Sequence, residues 1–181
     1  MNDESALLKA AKRFEQDALT AIFDIYASRI YQFVLRLCYD PVDSDYIVGD
    51  VFAQLLEKLA AGQGPLTNLR SYLYQIAYHL VVDRARHKHQ LVPLEFVIDK
   101  PAKLLDKSIP VEIEEWMRMD ACRTVLNNDL SDIQRHVIIL RFMEGFSLGE
   151  TAAIIGKNVN NTKVIQSRGM ARLRKALNGK V

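Results

Sequence analysis

The stretch Leu130–Leu177, LSDIQRHVIILRFMEGFSLGETAAIIGKNVNNTKVIQSRGMARLRKAL, decides the fold, because it carries helix starts and glycine stops at close spacing. Ser131 with Gln134, and Ser147 with Glu150, match the capping box, in which a hydroxyl and a side chain three residues later satisfy the free amides opening a helix. The apolar run Ile133, Val137, Leu140 precedes Gly145, and Leu148, Ala152, Ile155 precedes Gly156. Each glycine can take the left-handed turn that closes a helix. Asn158 can then cap a third helix, with Val159, Thr162, Ile165 or Gln166, Gly169, Leu173 and Leu177 on its inner face. The pattern predicts two short helices, a tight turn and a long helix.

Charge indicates what the last helix faces. From Thr151 to Val181 there are seven basic residues and no acidic one, which makes a local field attractive to phosphate. Lys163, Val164, Ser167 and Arg168 share one side at helical spacing and form the face expected to enter a major groove. The competing reading is a solvated basic C-terminus; agreement of caps, turn and one-sided charge favours duplex DNA.

The 181 residues can hold one large or two small domains, and 49% hydrophobic content suffices for real cores. No segment approaches the roughly 20 unbroken apolar residues of a membrane span. Met1–Ala10 carries Asp3 and Glu4 rather than a basic start and an apolar core, so no signal peptide is read and a cytoplasmic location without membrane insertion is expected. Cys38 and Cys122 stand apart without metal spacing, which points to buried free thiols. The net charge of +2 hides a segregation of acid and base along the chain.

Upstream, Ser5–Phe14 reads as a short helix. Asp17 can cap the next, which carries Ala18, Ile22, Phe23, Tyr26, Ile30, Phe33, Val34 and Leu37 inward until Asp40-Pro41 breaks it. A third helix from about Ser44 places Ile47, Val48, Val51, Phe52, Leu55, Leu56 and Leu59 inward and ends in Gly62-Gln63-Gly64-Pro65. Between Asp40 and Glu57 there are five acidic residues and no basic one, a surface that would repel DNA and suit a basic protein. An ordinary solvated face, with acids near a helix start, reads equally well from charge alone.

A fourth helix is expected from about Asn68 to His87, burying Leu69, Tyr72, Leu73, Ile76, Ala77, Leu80 and Val81. Arg70, Tyr74, Gln75, Tyr78, His79, Val82, Asp83 and Arg86 fall mainly outside that stripe, and Asp83 has arginines near enough to pair with. Rings mixed with cations fit unpaired nucleic acid, where bases stack and phosphates meet positive charge, although tyrosines at a helix edge are also common packing residues. His87 and His89 are two apart and do not share a helix face, so no metal site is read there.

From Leu91 to Pro110 the periodicity fades and three prolines appear, which marks a linker. The expected organisation is all-α: a helical domain at 1–90, a flexible linker at 91–110 and a helix-turn-helix domain at 111–181. Val111–Asn128 belongs to the last of these through Ile113, Trp116, Met117, Ala121, Val125 and Leu126.

The runs Ala21–Tyr26, Ile30–Leu37 and Asn68–Ala77, with Asp83-Arg84, resemble the second conserved region of extracytoplasmic-function sigma factors. Leu130–Arg135, Arg141, Glu144-Gly145, Thr151-Ala152 and Lys163 resemble their fourth region, in the same order along the chain. The resemblance implies an initiation subunit that binds core RNA polymerase and promoter DNA, that is commonly held by an anti-sigma factor, and that needs no cofactor. It would place the polymerase contact at Asp43, Asp45, Tyr46 and Asp50. The minus-ten element would be opened and read as single strand at Arg70, Tyr74, Tyr78, His79 and Arg86. The minus-thirty-five duplex would be read at Asn158, Asn160, Asn161, Lys163, Val164, Ser167, Arg168 and Arg172.

Several positions depart from the family pattern. Tyr46, Gly49 and Asp50 stand where an Asp, Gln and Glu set is usual, and Gly49 costs the helix about 1 kcal/mol against Ala. Tyr72 replaces a tryptophan, Tyr78-His79 an Arg-Asn pair, and Val164-Ile165 a Ser-Arg pair. The last change removes a guanine reader and leaves Val164 to meet a thymine methyl.

An enzyme is the rival from another class, but no glycine-rich phosphate loop, nucleophile elbow or paired carboxylate set stands in the sequence, and His79, His87, His89 and His136 lack identifiable triad partners. A helix-turn-helix repressor or activator, with N-terminal helices that bind a ligand or dimerise, is the closer rival.

Overall fold

The computed structural model describes residues 2–65, 67–91 and 129–178. The predicted linker beyond Leu91, the helix predicted at 111–128 and Cys122 lie outside them. Among the described residues every regular element is helical. Before the undescribed stretch come α1 (Asn2–Lys12), α2 (Gln16–Cys38), α3 (Pro41–Ala60) and α4 (Leu69–Leu91). After it come α5 (Asp132–Ile138), which continues into a π-helical turn (Ile139–Met143), then α6 (Leu148–Ile154) and α7 (Val159–Asn178).

Local chemistry sets the joints. Tyr39 takes the left-handed conformation, φ 57°, and its amide bonds the Leu35 carbonyl to close α2. Asp40 then caps α3, its Oδ1 accepting the Asp43 amide at 3.0 Å, with Pro41 at the first helical position. The proline that ends α2 therefore begins α3, and the helix starts at Pro41 rather than near Ser44, because a fixed φ near −65° already suits a first turn. Asp17 is not a cap: Glu15 occupies that position without a side-chain bond, and Asp17 sits in the first turn, where its charge suits the helix dipole. Asn68, with φ 54°, opens α4 by accepting the Ser71 amide at 3.0 Å.

The first four helices pack around Ile22, Ile30, Phe33, Val34, Ile47, Val51, Leu55, Leu69 and Leu73, all buried. Phe23 and Leu56, predicted inside, are 49% and 40% exposed. The stripe that faces the other helices is narrower than the run of apolar residues, and Phe23 instead packs on Phe52 with ring centroids 4.8 Å apart.

Both capping boxes form. Ser147 accepts the Glu150 amide at 3.2 Å and donates its own amide to the Glu150 carboxylate at 2.8 Å; the Ser131 amide reaches Gln134 Oε1 at 3.2 Å. Gly145 and Gly156 close their helices at φ 73° and 65°. The π turn widens the ladder, the Glu144 amide bonding the Ile139 carbonyl at 3.0 Å, before the Phe146 amide returns to Leu140 at 3.0 Å. On α7, Thr162 and Gly169 are buried, but Val159, predicted on the inner face, is exposed at the helix start. Gly169 lets α7 approach α5: a Cβ there would lie 2.9 Å from Ile138 Cδ1.

The two helical units meet along α4, α6 and the π turn, and one buried apolar cluster includes residues of both. Tyr74 lies between the two units, its ring 4.8 Å from Phe33 on one side and 4.9 Å from Phe146 on the other.

Candidate nucleic-acid interface

Helix α7 is set by what lies behind it. Asn158 Oδ1 accepts the Asn161 amide at 2.8 Å, and the Thr162 hydroxyl donates to the Asn158 carbonyl at 3.0 Å, which fixes the first turn. Arg141 donates through Nε to Gln166 Oε1 at 3.1 Å and through Nη1 to the Phe146 carbonyl, so one guanidinium ties the turn to the helix. With that face anchored, Lys163, Val164, Ser167 and Arg168 are exposed together on the opposite side, and Asn158, Asn160 and Asn161 are exposed at the helix start. Arg172 is exposed too, but it donates to Gln134 Oε1 at 3.1 Å and is partly committed to holding α5. No acidic residue lies on α7, so its free face is uniformly positive.

Helix α3 presents Asp45, Tyr46 and Asp50 to solvent, with Gly49 open beside them. Asp43 is a correction: expected on this face, it is only 9% exposed and pairs with Arg84 of α4 at 2.9 Å. It lies on the side of α3 that turns toward α4, where the cation offsets the loss of hydration. Arg84 also lies over the Tyr46 ring, 5.7 Å from its centroid. Asp83 does pair with a neighbouring arginine, Arg86, at 3.4 Å, but both are exposed and the contact is weak.

On α4 the residues expected to share an open face are divided. His79 and Arg86 are exposed and Arg70 is half-buried, whereas Tyr74 and Tyr78 are 1% and 6% exposed. Their cover is the helix-turn-helix unit. The Tyr74 hydroxyl donates to Glu144 Oε2 at 2.8 Å, Arg36 pairs with Glu144 Oε1 at 2.6 Å, and Arg70 donates to the Glu144 carbonyl. The Arg70 guanidinium lies 4.1 Å from the Phe146 centroid, and Tyr78 meets His136 edge-on at 5.5 Å.

Burial and then the Glu144 charge push the Tyr74 hydroxyl well above the usual phenol range; burial also raises Tyr78 and Tyr72. His136 is held down to about 4 by burial, with the Arg135 cation adding, so it is neutral at pH 7. A second polar seam joins Glu150 to Asn68 at 3.0 Å and to Ser71 at 3.4 Å. Bonds from Ser147 first, then from Asn68, lower the Glu150 carboxyl to about 2. Sequence reading gave no role to Glu144, His136 or Arg36; Glu144 stood out only as part of the Glu144-Gly145 motif.

Cys38 is a half-buried free thiol, 3.4 Å from the Ser44 hydroxyl. Among the described residues no three His, Cys, Asp or Glu side chains gather as a metal site, and no helix is long and apolar enough to cross a membrane.

Both helical units match known protein families. The family model for Sigma-70 region 2 matches residues 22–90, and that for Sigma-70, region 4 matches residues 128–175. The chain is 25% identical over 177 residues to the ECF RNA polymerase sigma factor SigK of Mycolicibacterium vanbaalenii, covering 95% of this chain and 88% of the relative. It is 26% identical over 167 residues to SigX of Bacillus subtilis, also an ECF RNA polymerase sigma factor, covering 88% and 84%. In fold it is similar to CnrH, solved in complex with the cytosolic domain of CnrY, at TM-score 0.72 and 19% identity over 98% of each chain. It is similar also to the sigma factor RpoE of Bartonella quintana, solved with the anti-sigma factor NepR, at TM-score 0.61 and 24% identity over 88% of this chain and 96% of that one. With both regions matched in their order, and relatives of one kind aligned along nearly all its length, the chain belongs to the sigma-70 family as an RNA polymerase sigma factor of the extracytoplasmic-function type.

Proposed function

We propose that the chain works by dividing promoter recognition between its two units while polymerase holds both on the DNA. The free face of α7, with Lys163, Val164, Ser167 and Arg168, reads the minus-thirty-five element in the major groove, and Asn158, Asn160, Asn161 and Arg172 fix its register on the backbone. Arg70, Tyr74, Tyr78, His79 and Arg86 of α4 take the minus-ten element as single strand. Asp45, Tyr46 and Asp50 of α3 meet a basic surface of core polymerase, with Asp43 supporting them from inside through Arg84. The single observation that carries this reading is the exposed, acid-free face of α7, anchored from behind by Arg141 and Gln166.

The division at 1–90, 91–110 and 111–181 suits such work, because polymerase can set both units at promoter spacing and so raise their effective concentration on DNA. Reading promoters places the protein in the bacterial cytoplasm and requires no cofactor. An anti-sigma factor is the expected regulator, since the structural relatives CnrH and RpoE were solved with CnrY and NepR.

Gel filtration of the purified chain with core polymerase tests the reading. Co-elution, with poor binding of duplex promoter by the free chain, is expected. Tight binding of duplex operator by the free chain without co-elution would favour a repressor or activator instead.

A further inference from the structure

We infer that the cavity where α2, α3, α4 and α5 meet is a binding site for a small aromatic acid that also carries a hydroxyl, with its rings against Tyr78, its acid at Arg86 and its hydroxyl at His136. The site needs neither DNA nor polymerase and stands apart from the promoter reading.

The cavity has a volume of about 570 Å³. Pockets that hold small ligands run from about 300 to 1,000 Å³, whereas ordinary packing leaves few voids larger than a water molecule. Among the described residues, Leu37 of α2, Ile47 of α3, Val81 of α4 and Ile133 of α5 give it an apolar wall. That wall suits an apolar body, and the Tyr78 ring in the same lining favours a flat aromatic one.

Two polar groups in the lining lack what they need. His136 is 6% exposed, and among the described residues its side chain makes no hydrogen bond, only the edge-on contact with Tyr78 at 5.5 Å. A buried imidazole ordinarily has a hydrogen-bond partner. Burial first, and then the Arg135 cation, keeps it neutral at pH 7, so it offers one donor and one acceptor, which a hydroxyl can meet from inside the cavity. Charge gives the second group. The lining holds three arginines against two aspartates. Arg84 pairs with Asp43 at 2.9 Å and Arg135 with Asp132 at 2.9 Å, so both are answered in place. Arg86 is the cation in excess: among the described residues its ion pair is the 3.4 Å contact with Asp83, between exposed side chains. A guanidinium so placed is matched by a carboxylate, which it can grip with two parallel bonds. Arg86 lies two turns beyond Tyr78 on α4, about 12 Å along the helix axis, a span that a two-ring acid and the arginine side chain cover together.

Because the wall is drawn from both helical units, an occupant is held while they are packed together, and its binding stabilises that packing in proportion to its affinity. A dissolved acid would then act on the protein without any protein partner.

The test is a fluorescence titration of the full chain with 6-hydroxy-2-naphthoate, beside 2-naphthoate, which lacks the hydroxyl, and 2-naphthol, which lacks the acid. Saturable one-to-one binding is expected, about tenfold weaker for 2-naphthol and several-fold weaker for 2-naphthoate. Arg86→Ala should erase the preference for the acid, and His136→Leu the preference for the hydroxyl. Ala85→Trp, at an exposed position in the lining, should block all three probes. Cys38 locates the site: its thiol is free and in the same lining, so bound 6-hydroxy-2-naphthoate should slow its alkylation by iodoacetamide, read by peptide mass spectrometry. Circular dichroism checks that each variant folds; if His136→Leu does not, Arg86→Ala and Ala85→Trp, both at exposed positions, decide between them. Absence of saturable binding to the native chain would overturn the proposal. So would binding that Arg86→Ala and Ala85→Trp leave unchanged, or binding that leaves Cys38 alkylation at its original rate.

Discussion

Arg168 and Lys163 share the free face of α7 but are separable by salt. If Arg168 reads a base, Arg168→Ala costs roughly 1–3 kcal/mol of promoter affinity and relaxes preference at one base pair; if Lys163 instead meets a phosphate at the edge of the groove, Lys163→Ala lowers affinity evenly and reduces the salt slope by about 1. Filter binding of the polymerase complex across a salt series checks both. Glu150 supplies a pH prediction. Its folded carboxyl is depressed from 4.5 to about 2, so its bonds favour the folded state above pH 4.5, and that contribution fades as pH falls through about 2. Denaturant midpoints measured down this range should drop less steeply for Glu150→Gln than for the native chain. Gly49 sits in the interior of α3 with nothing within 4 Å of where a Cβ would stand. Gly49→Ala should therefore raise stability by about 0.5–1 kcal/mol in a thermal melt.

At the scale of elements, the close crossing of α5 and α7 depends on one missing side chain. Gly169→Val would press on Ile138 and Gln134, cost roughly 1–3 kcal/mol and tilt the reading face, seen as lost promoter binding with helicity retained by circular dichroism. The helix ends are legible in the sequence because their causes are local: Ser147 and Glu150 are three residues apart, and Gly145 and Gly156 need no distant partner. The outward side of α7 is legible as well, since its acid-free face and its anchored face follow one period. What escapes sequence reading is set by contacts across the chain. Asp43 finds Arg84 at a separation of 41 residues, and Tyr74 finds Glu144 at 70. A tyrosine at the edge of a helical stripe is outward for one unit and inward once a second covers it, and periodicity within α4 cannot tell these apart. The π turn is likewise silent in sequence, because Ile139–Met143 has the apolar spacing of an ordinary helix.

Across the whole molecule, the ring stack Phe33, Tyr74, Phe146 makes the two units thermodynamically dependent. Phe146→Ala should cost about 3–5 kcal/mol and split a single calorimetric transition into two, with the first four helices melting apart from the rest. A single undivided transition in that variant would mean that the ring stack is not what couples them. The same sequence distance has a consequence during synthesis. Tyr74 leaves the ribosome 70 residues before Glu144. At about 5–20 residues per second the aromatic side of α4 stands bare on the nascent chain for roughly 4–14 s. In that interval any chaperone or binding protein meets a surface that the finished molecule keeps covered.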